Sequence, residues 1–158
     1  MKISIITVGK LKEKYFKDAV AEYAKRLSRF VSLSILEVPD EKIPDKASEK
    51  QEELIRKKEG DSILAQLKEN SYKIALCIEG QQLPSEKLAK KIADISMQSS
   101  HITFIIGGSL GLSEEVKKQA DYSLSFGAMT LPHQLMRVVL LEQIYRSYKI
   151  NHNENYHK

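Results

Sequence analysis

Two hydrophobic periods alternate along the chain: short β-branched runs, and longer stretches with apolar residues three or four apart. Residues 2–8 (KISIITV) read as a buried strand closed by Gly9. Phe16, Ala19, Val20, Tyr23, Leu27 and Phe30 predict an amphipathic helix over 13–30. A second strand over 32–38 is stopped by Pro39, and 39–47 form a charged loop with two prolines. Ser48 with Gln51 and Glu52 marks a helix start, and that helix extends to 69. A third strand covers 74–78 and ends at Glu79-Gly80; Pro84-Ser85 opens a helix that ends at 96. A fourth strand, 102–106, runs into Gly107-Gly108. Ser113 caps a short helix, 122–126 form a fifth strand, and 135–149 a last helix. Strands separated by helices predict an α/β fold, a mainly parallel sheet with helices on both faces.

Charge is spread unevenly over this pattern. Residues 1–75 carry 29 charged side chains and residues 95–141 only 6, so the second stretch is buried in the fold, a partner or a ligand site. The last helix has only a narrow polar stripe beside Leu135, Met136, Val138, Val139, Leu140, Leu141, Ile144, Tyr145 and Tyr148. Such a helix needs cover on two sides. The sheet supplies one; the other is a second subunit, which makes a homodimer, or the chain's own core.

The length of 158 residues sets the expectation of a single domain over 1–158. A 42% apolar and 29% charged composition is that of a globular chain. The net charge of +4 is compatible with a nucleic-acid partner without requiring one. One cysteine excludes a disulfide framework and a multi-cysteine zinc site. The apolar run at 3–8 is too short for a signal peptide, and the charge-free run 95–113 is broken by polar residues and glycines. The expected setting is cytoplasmic, with no membrane span and no metal.

Ligands of open α/β sheets bind beyond the carboxyl ends of strands. Three such ends are glycine-bearing: Leu76-Cys77-Ile78-Glu79-Gly80, Ile105-Ile106-Gly107-Gly108-Ser109-Leu110-Gly111 and Phe126-Gly127-Ala128-Met129-Thr130-Leu131-Pro132-His133. Each glycine alone reads as a turn, but three converging loops suit a nucleoside-sized ligand. A phosphate-binding P-loop is absent, and Gly107-Gly108-x-x-Gly111 does not match the dinucleotide fingerprint. His101, before a strand, is expected at the surface, and His133, His152 and His157 lack a tight metal-ligand spacing. Cys77, inside an apolar strand, reads as a small hydrophobe. The polar tail, 151–158, is either a frayed terminus or a segment that folds over a site and presents Tyr156 and His157 to a base. Arg146 either pairs with Glu142 on the helix face or contacts phosphate or base.

Thr7-Val-Gly-Lys-Leu-Lys-Glu-Lys14, Phe104-Ile-Ile-Gly-Gly-Ser-Leu-Gly-Leu112, Leu124-Ser125, Thr130-Leu-Pro-His-Gln-Leu-Met-Arg137, Glu142-Gln-Ile-Tyr-Arg146 and Tyr156-His-Lys158 together resemble the RlmH family. These are small SPOUT-superfamily methyltransferases that modify ribosomal RNA, and the resemblance covers essentially the whole chain. It implies a C-terminal trefoil knot, with knot and cofactor site in roughly 74–158. It implies S-adenosylmethionine as cofactor, contacted at Leu76, Gly108, Gly127, Ala128, Met129, Thr130, Leu131 and Pro132. It also implies a homodimer acting on the assembled 70S ribosome, at N3 of a pseudouridine in the helix 69 loop of 23S rRNA.

A sulfonium methyl is already activated, so alignment of N3, methyl carbon and sulfur is the main task. N3 carries a proton whose loss must be assisted. His157 is the candidate proton acceptor, Tyr156 the candidate for stacking or orienting the base, and Arg146 for holding charge or phosphate. His133 either serves the cofactor loop or caps the last helix. The stretch His152-Asn153-Glu154-Asn155 departs from the Arg-Gly-Glu-Pro-like stretch of many family members, so a cationic contact from there is not expected. The alternative to an enzyme is a non-catalytic ribosome-binding or assembly factor that retains the fold. Intact Gly107-Gly108 and Thr130-Leu131-Pro132 loops favour the enzyme.

Overall fold

The computed structural model describes all residues from Met1 to Lys158. Five strands, β1 (Lys2–Val8), β2 (Ser32–Val38), β3 (Tyr72–Gln82), β4 (His101–Ile106) and β5 (Tyr122–Ser125), alternate with five helices. These are α1 (Lys14–Leu27), α2 (Glu49–Leu64), α3 (Ser85–Ser96), α4 (Glu114–Gln119) and α5 (His133–Asn151). The sheet order is β2-β1-β4-β3-β5, and every pairing is parallel. All five strands therefore end at the same edge.

The β-branched runs are buried on both faces, as an interior parallel sheet requires. Ile3, Ile5, Ile102, Phe104, Ile106 and Leu124 pack against α1, α3 and α5 through Leu27, Ile92 and Leu140. Ile6, Val8 and Ile105 face the other way, toward Ile63 of α2 and Val116 of α4. Each fully buried isoleucine or leucine contributes about 2 kcal/mol. Helices thus cover both faces, as the pattern predicts.

The last helix is covered by its own chain more than its composition suggests. It lies between α1 and α3 and makes contacts with both. Its N-terminal half keeps a half-buried apolar stripe that includes Leu135, Val138 and Val139. Arg137 is 1% exposed within this helix and ties it to the sheet: Nη1 donates to Glu37 Oε2 (2.8 Å) and Nη2 to the Gly9 carbonyl (3.2 Å).

Several boundaries move for local reasons. The helix expected to reach 69 ends at Leu64, because Gln66 and Leu67 amides turn back onto Ile63 and Leu64 carbonyls, and Leu67 tucks beside the α2–α4 core. Its start is where Ser48 marks it, and is closed by a capping box: Ser48 accepts from the Gln51 amide while the Gln51 side chain accepts from the Ser48 amide. The strand read as 74–78 extends to Gln82, because β5 pairs with it on both sides of a bulge: Leu124 sits opposite Leu76 and again opposite Gln81. Gly80 allows that approach; a Cβ there would lie 2.7 Å from the Ser123 carbonyl oxygen.

His101 is a correction. It is 7% exposed rather than at the surface, because β4 starts inside the sheet beside β1. Its Nε2 is 2.8 Å from Ser4 Oγ, and burial pushes its pKa below the ordinary imidazole value.

Candidate active site

The carboxyl ends of β3, β4 and β5 converge on a cavity of about 820 Å³. Parallel pairing produces this convergence, since it places the three glycine-bearing loops on one edge of the sheet. The 107–111 loop folds back on itself: the Gly111 amide donates to the Gly108 carbonyl at 3.0 Å, and a Cβ on Gly107 would lie 2.8 Å from the Gly111 carbonyl carbon. The last loop starts at Gly127, whose φ of +125° only glycine adopts readily. The Gly127 amide donates to Ser125 Oγ at 3.1 Å, which anchors that turn to the end of β5. Pro132 caps α5 and passes the chain into the helix.

Leu76, Gly108, Gly127, Met129, Thr130, Leu131 and Pro132 all line this cavity; Ala128 of the same expected set does not. Leu124, Phe126 and Ile106 supply apolar wall. Cys77, half-buried, is part of that wall, in keeping with its reading as a small hydrophobe. Met129, 86% exposed, and Ile78, 51% exposed, form an apolar rim.

Charged residues also reach the cavity, Arg56 and Lys117 among them from outside the loops read in the sequence. Arg56 comes from α2, and Glu79 and Lys117 pair across the opening. That bond holds the Glu79 carboxyl below its usual range and the Lys117 ammonium above its own. No local pattern marks Arg56 or Lys117, because two separate helices, α2 and α4, bring them to the end of β3.

The tail is pinned rather than frayed. Glu154 bridges Arg29 (2.6 Å) and Lys149 (2.7 Å), and the Tyr156 ring meets Tyr145 edge-on at 5.0 Å. Arg146, Tyr156 and His157, far apart in residue type and partly in sequence, come together around Glu142. Arg146 Nε and Tyr156 OH donate to the two Glu142 oxygens at 2.8 and 2.7 Å. The Arg146 guanidinium lies over the Tyr156 ring at 4.6 Å, and its Nη1 is 3.2 Å from His157 Nδ1. His157 Nε2 is 2.7 Å from Glu86 Oε1, a partner on α3 that no sequence signal indicates. Burial and the Glu142 bond push the Tyr156 hydroxyl up to about 12, so it stays protonated and donates.

None of these three residues lines the cavity. Met136, on the cavity wall, and Arg146 are ten residues apart on α5, which is about 15 Å of helix. His133 begins α5 without capping it, and lies at the cavity instead.

The chain matches the family described as "Predicted SPOUT methyltransferase" over residues 1–157. It is 59% identical to a Bifidobacterium adolescentis protein and 60% identical to a Clostridium novyi protein, over 100% of each chain. A Streptococcus suis protein is 57% identical over the same full length. All three relatives are named ribosomal RNA large subunit methyltransferase H. Among solved structures, a Legionella pneumophila chain described as a methyltransferase in complex with bound SAM superposes with a TM-score of 0.50. At 13% identity, over 94% of this chain and 66% of that one, the likeness is one of fold. The protein belongs to the SPOUT methyltransferase family.

Proposed function

We propose that this protein transfers a methyl group from S-adenosylmethionine to a base of large-subunit ribosomal RNA, at N3 of a pseudouridine in the helix 69 loop of the assembled 70S ribosome, in the cytoplasm. The observation that carries the reading is the full-length identity of 57–60% to proteins named for that RNA, together with a cavity on the expected loops. No helix is long and apolar enough to cross a membrane.

The residues present fit the cofactor. A cavity of about 820 Å³ lies within the range of small-molecule sites, about 300–1,000 Å³. Leu76, Leu124 and Phe126 offer apolar wall, and the turns at 107–108 and 127–132 offer backbone donors and acceptors. Nothing stands within 4 Å of where a Gly127 Cβ would be, so a ligand can approach that backbone. When bound, S-adenosylmethionine supplies an activated methyl on a sulfonium sulfur. The loops hold it and exclude water; Tyr156 and Arg146 offer a stacking face and a cation to the base. His157 is the proposed proton acceptor for N3–H. In this arrangement Arg146 donates to Nδ1 and the Nε2–H faces Glu86, so the nitrogen that can accept the N3 proton is Nδ1, once Arg146 turns away from it.

The homodimer belongs to the same proposal. The tail cluster and the cavity lie at opposite ends of α5, so one copy does not bring them together. Two α5 helices packed antiparallel along the half-buried Leu135–Val139 stripe would set the tail of one protomer at the cavity of the other. The whole chain is one domain in this reading, with the trefoil knot and cofactor site in its C-terminal half; the placing of β3 between β4 and β5 supports it.

Tritiated-methyl transfer to 70S ribosomes, 50S subunits and naked rRNA from a strain lacking the protein tests the reading. Label on a helix 69 pseudouridine, strongest with 70S, is expected. Absence of label on every ribosomal form would refute the substrate assignment.

A further inference from the structure

A second cavity, of about 190 Å³, adjoins the first; the two share Gly108, Ser109, Leu110 and His133 as wall. Its other walls carry Asp40, Glu41 and Glu59 against one cation, Lys42. Glu59 is 5% exposed. Its Oε2 accepts from the Glu41 amide at 2.9 Å, and its Oε1 has no hydrogen-bond partner. That free oxygen stands behind Gly108, 3.1 Å from where a Cβ would be, so a side chain there would press on Glu59.

A second buried acceptor shares this place. His133 Nδ1 is buried and unpartnered. Its ring stands beside Gly9 together with Asp40. Burial and Arg137 push the His133 pKa down, against an upward pull from Asp40. With its proton on Nε2, Nδ1 presents a lone pair. Asp40 makes no ion pair, whereas Glu41 is already engaged by Lys58 at 3.5 Å. Burial and the neighbouring Asp40 and Glu41 charges disfavour ionised Glu59, the condition that an incoming cation relieves. No group of three or more His, Cys, Asp or Glu is placed to hold a metal ion. A primary ammonium entering this cavity meets Glu59 Oε1 as a partnerless acceptor, with the Asp40 carboxylate on the same lining.

We infer that this acidic side cavity is a binding subsite for a primary ammonium group, the α-ammonium of the cofactor's methionyl arm, with Glu59 as its principal acceptor. The inference rests on the cofactor reading above. It assigns Glu59 a binding role from α2, outside the C-terminal half expected to hold the cofactor.

Calorimetric titration of the full chain tests it with four ligands. S-adenosylmethionine, S-adenosylhomocysteine and decarboxylated S-adenosylmethionine all carry the ammonium; 5′-methylthioadenosine lacks the arm. Glu59→Gln is expected to weaken the first three about tenfold, the scale of a charge-assisted hydrogen bond, and to leave methylthioadenosine unchanged. Asp40→Asn, at an exposed position, is expected to show the same selectivity with a smaller loss. Equal weakening of all four ligands would overturn the inference and make Glu59 a support for the Gly108 loop. Loss confined to the two sulfonium ligands would overturn it in favour of sulfonium recognition, and no loss would overturn it outright. Failure of the unaltered protein to bind any of the four would instead sink the cofactor reading itself.

Discussion

Arg137 donates to Glu37 at 2.8 Å across a hundred residues of sequence, and this bond fastens the first turn of α5 to the end of β2. The arginine is buried, while Glu37 keeps partial access to water. Removing the carboxylate strands a buried cation that holds only the Gly9 carbonyl. Glu37→Ala is therefore expected to cost about 3 kcal/mol, and the double variant with Arg137→Met to recover much of that loss. Urea unfolding of the two variants checks this; a double variant no better than the single would remove the charge argument.

The two strand-end glycines divide into different classes. A methyl at Gly80 meets the Ser123 backbone at 2.7 Å, where nothing can yield without parting β3 from β5. Gly80→Ala is expected to destabilise the fold by more than about 2 kcal/mol. Gly127 has open space but a φ of +125°, so Gly127→Ala strains the loop by about 1–3 kcal/mol. That variant should fold and bind S-adenosylmethionine more weakly. Paired melting curves and titrations check the contrast.

Acid should weaken the protein through His101 and His133. Both folded-state pKa values lie below the ordinary 6.5 because burial disfavours the charged ring. The unfolded chain therefore takes up these protons first as pH falls. The stability they contribute is complete above about pH 6.5, declines as pH drops through that value, and levels off below the folded-state pKa values. His101→Asn should flatten its share of the slope. Urea midpoints measured about one unit either side of pH 6.5 read it out.

The tail residues should separate binding from chemistry. Arg146→Ala, Tyr156→Ala and His157→Ala are each expected to lower single-turnover methyl transfer about a hundredfold or more, with S-adenosylmethionine affinity within about twofold. Tyr156→Phe keeps the ring and loses only the bond to Glu142, so its loss should be about tenfold or less. A large loss of cofactor affinity in His157→Ala would count against the separation of the two ends.

If the tail of one protomer serves the cavity of the other, defects in the two should complement. Mixing equal amounts of Gly127→Ala and His157→Ala subunits should restore activity to about a quarter of the unaltered dimer, since half of the dimers are mixed and each mixed dimer keeps one sound site of its two. No recovery after verified subunit exchange would place both parts of the site in one protomer.

Much of this was legible locally. The spacing of β-branched residues located β1 and β2 at their observed limits, and Ser48 with Gln51 and Glu52 announced the start of α2. Glycines after three strands marked the cavity, because a parallel sheet brings strand ends to one edge whatever the order of its strands. The resemblance supplied the positions that pattern could not, and seven of the eight expected contact residues line the cavity.

Other features depended on contacts between distant segments. His101 looked like a surface residue because it reads as preceding β4; the strand begins at His101 itself, and pairing with β1 buries it. The extension of β3 past Ile78 needed β5 as a partner, and Glu86 met His157 only because α3 and α5 lie side by side. Glu59 reads as one charge among many on a polar helix; its burial behind Gly108 was decided by how α2 packs on the sheet. Periodicity reports which face of an element is apolar, since that depends on spacing within a few turns. Which two elements meet, and therefore which charge loses its water, depends on packing across the whole chain, and only the tertiary structure carries that information.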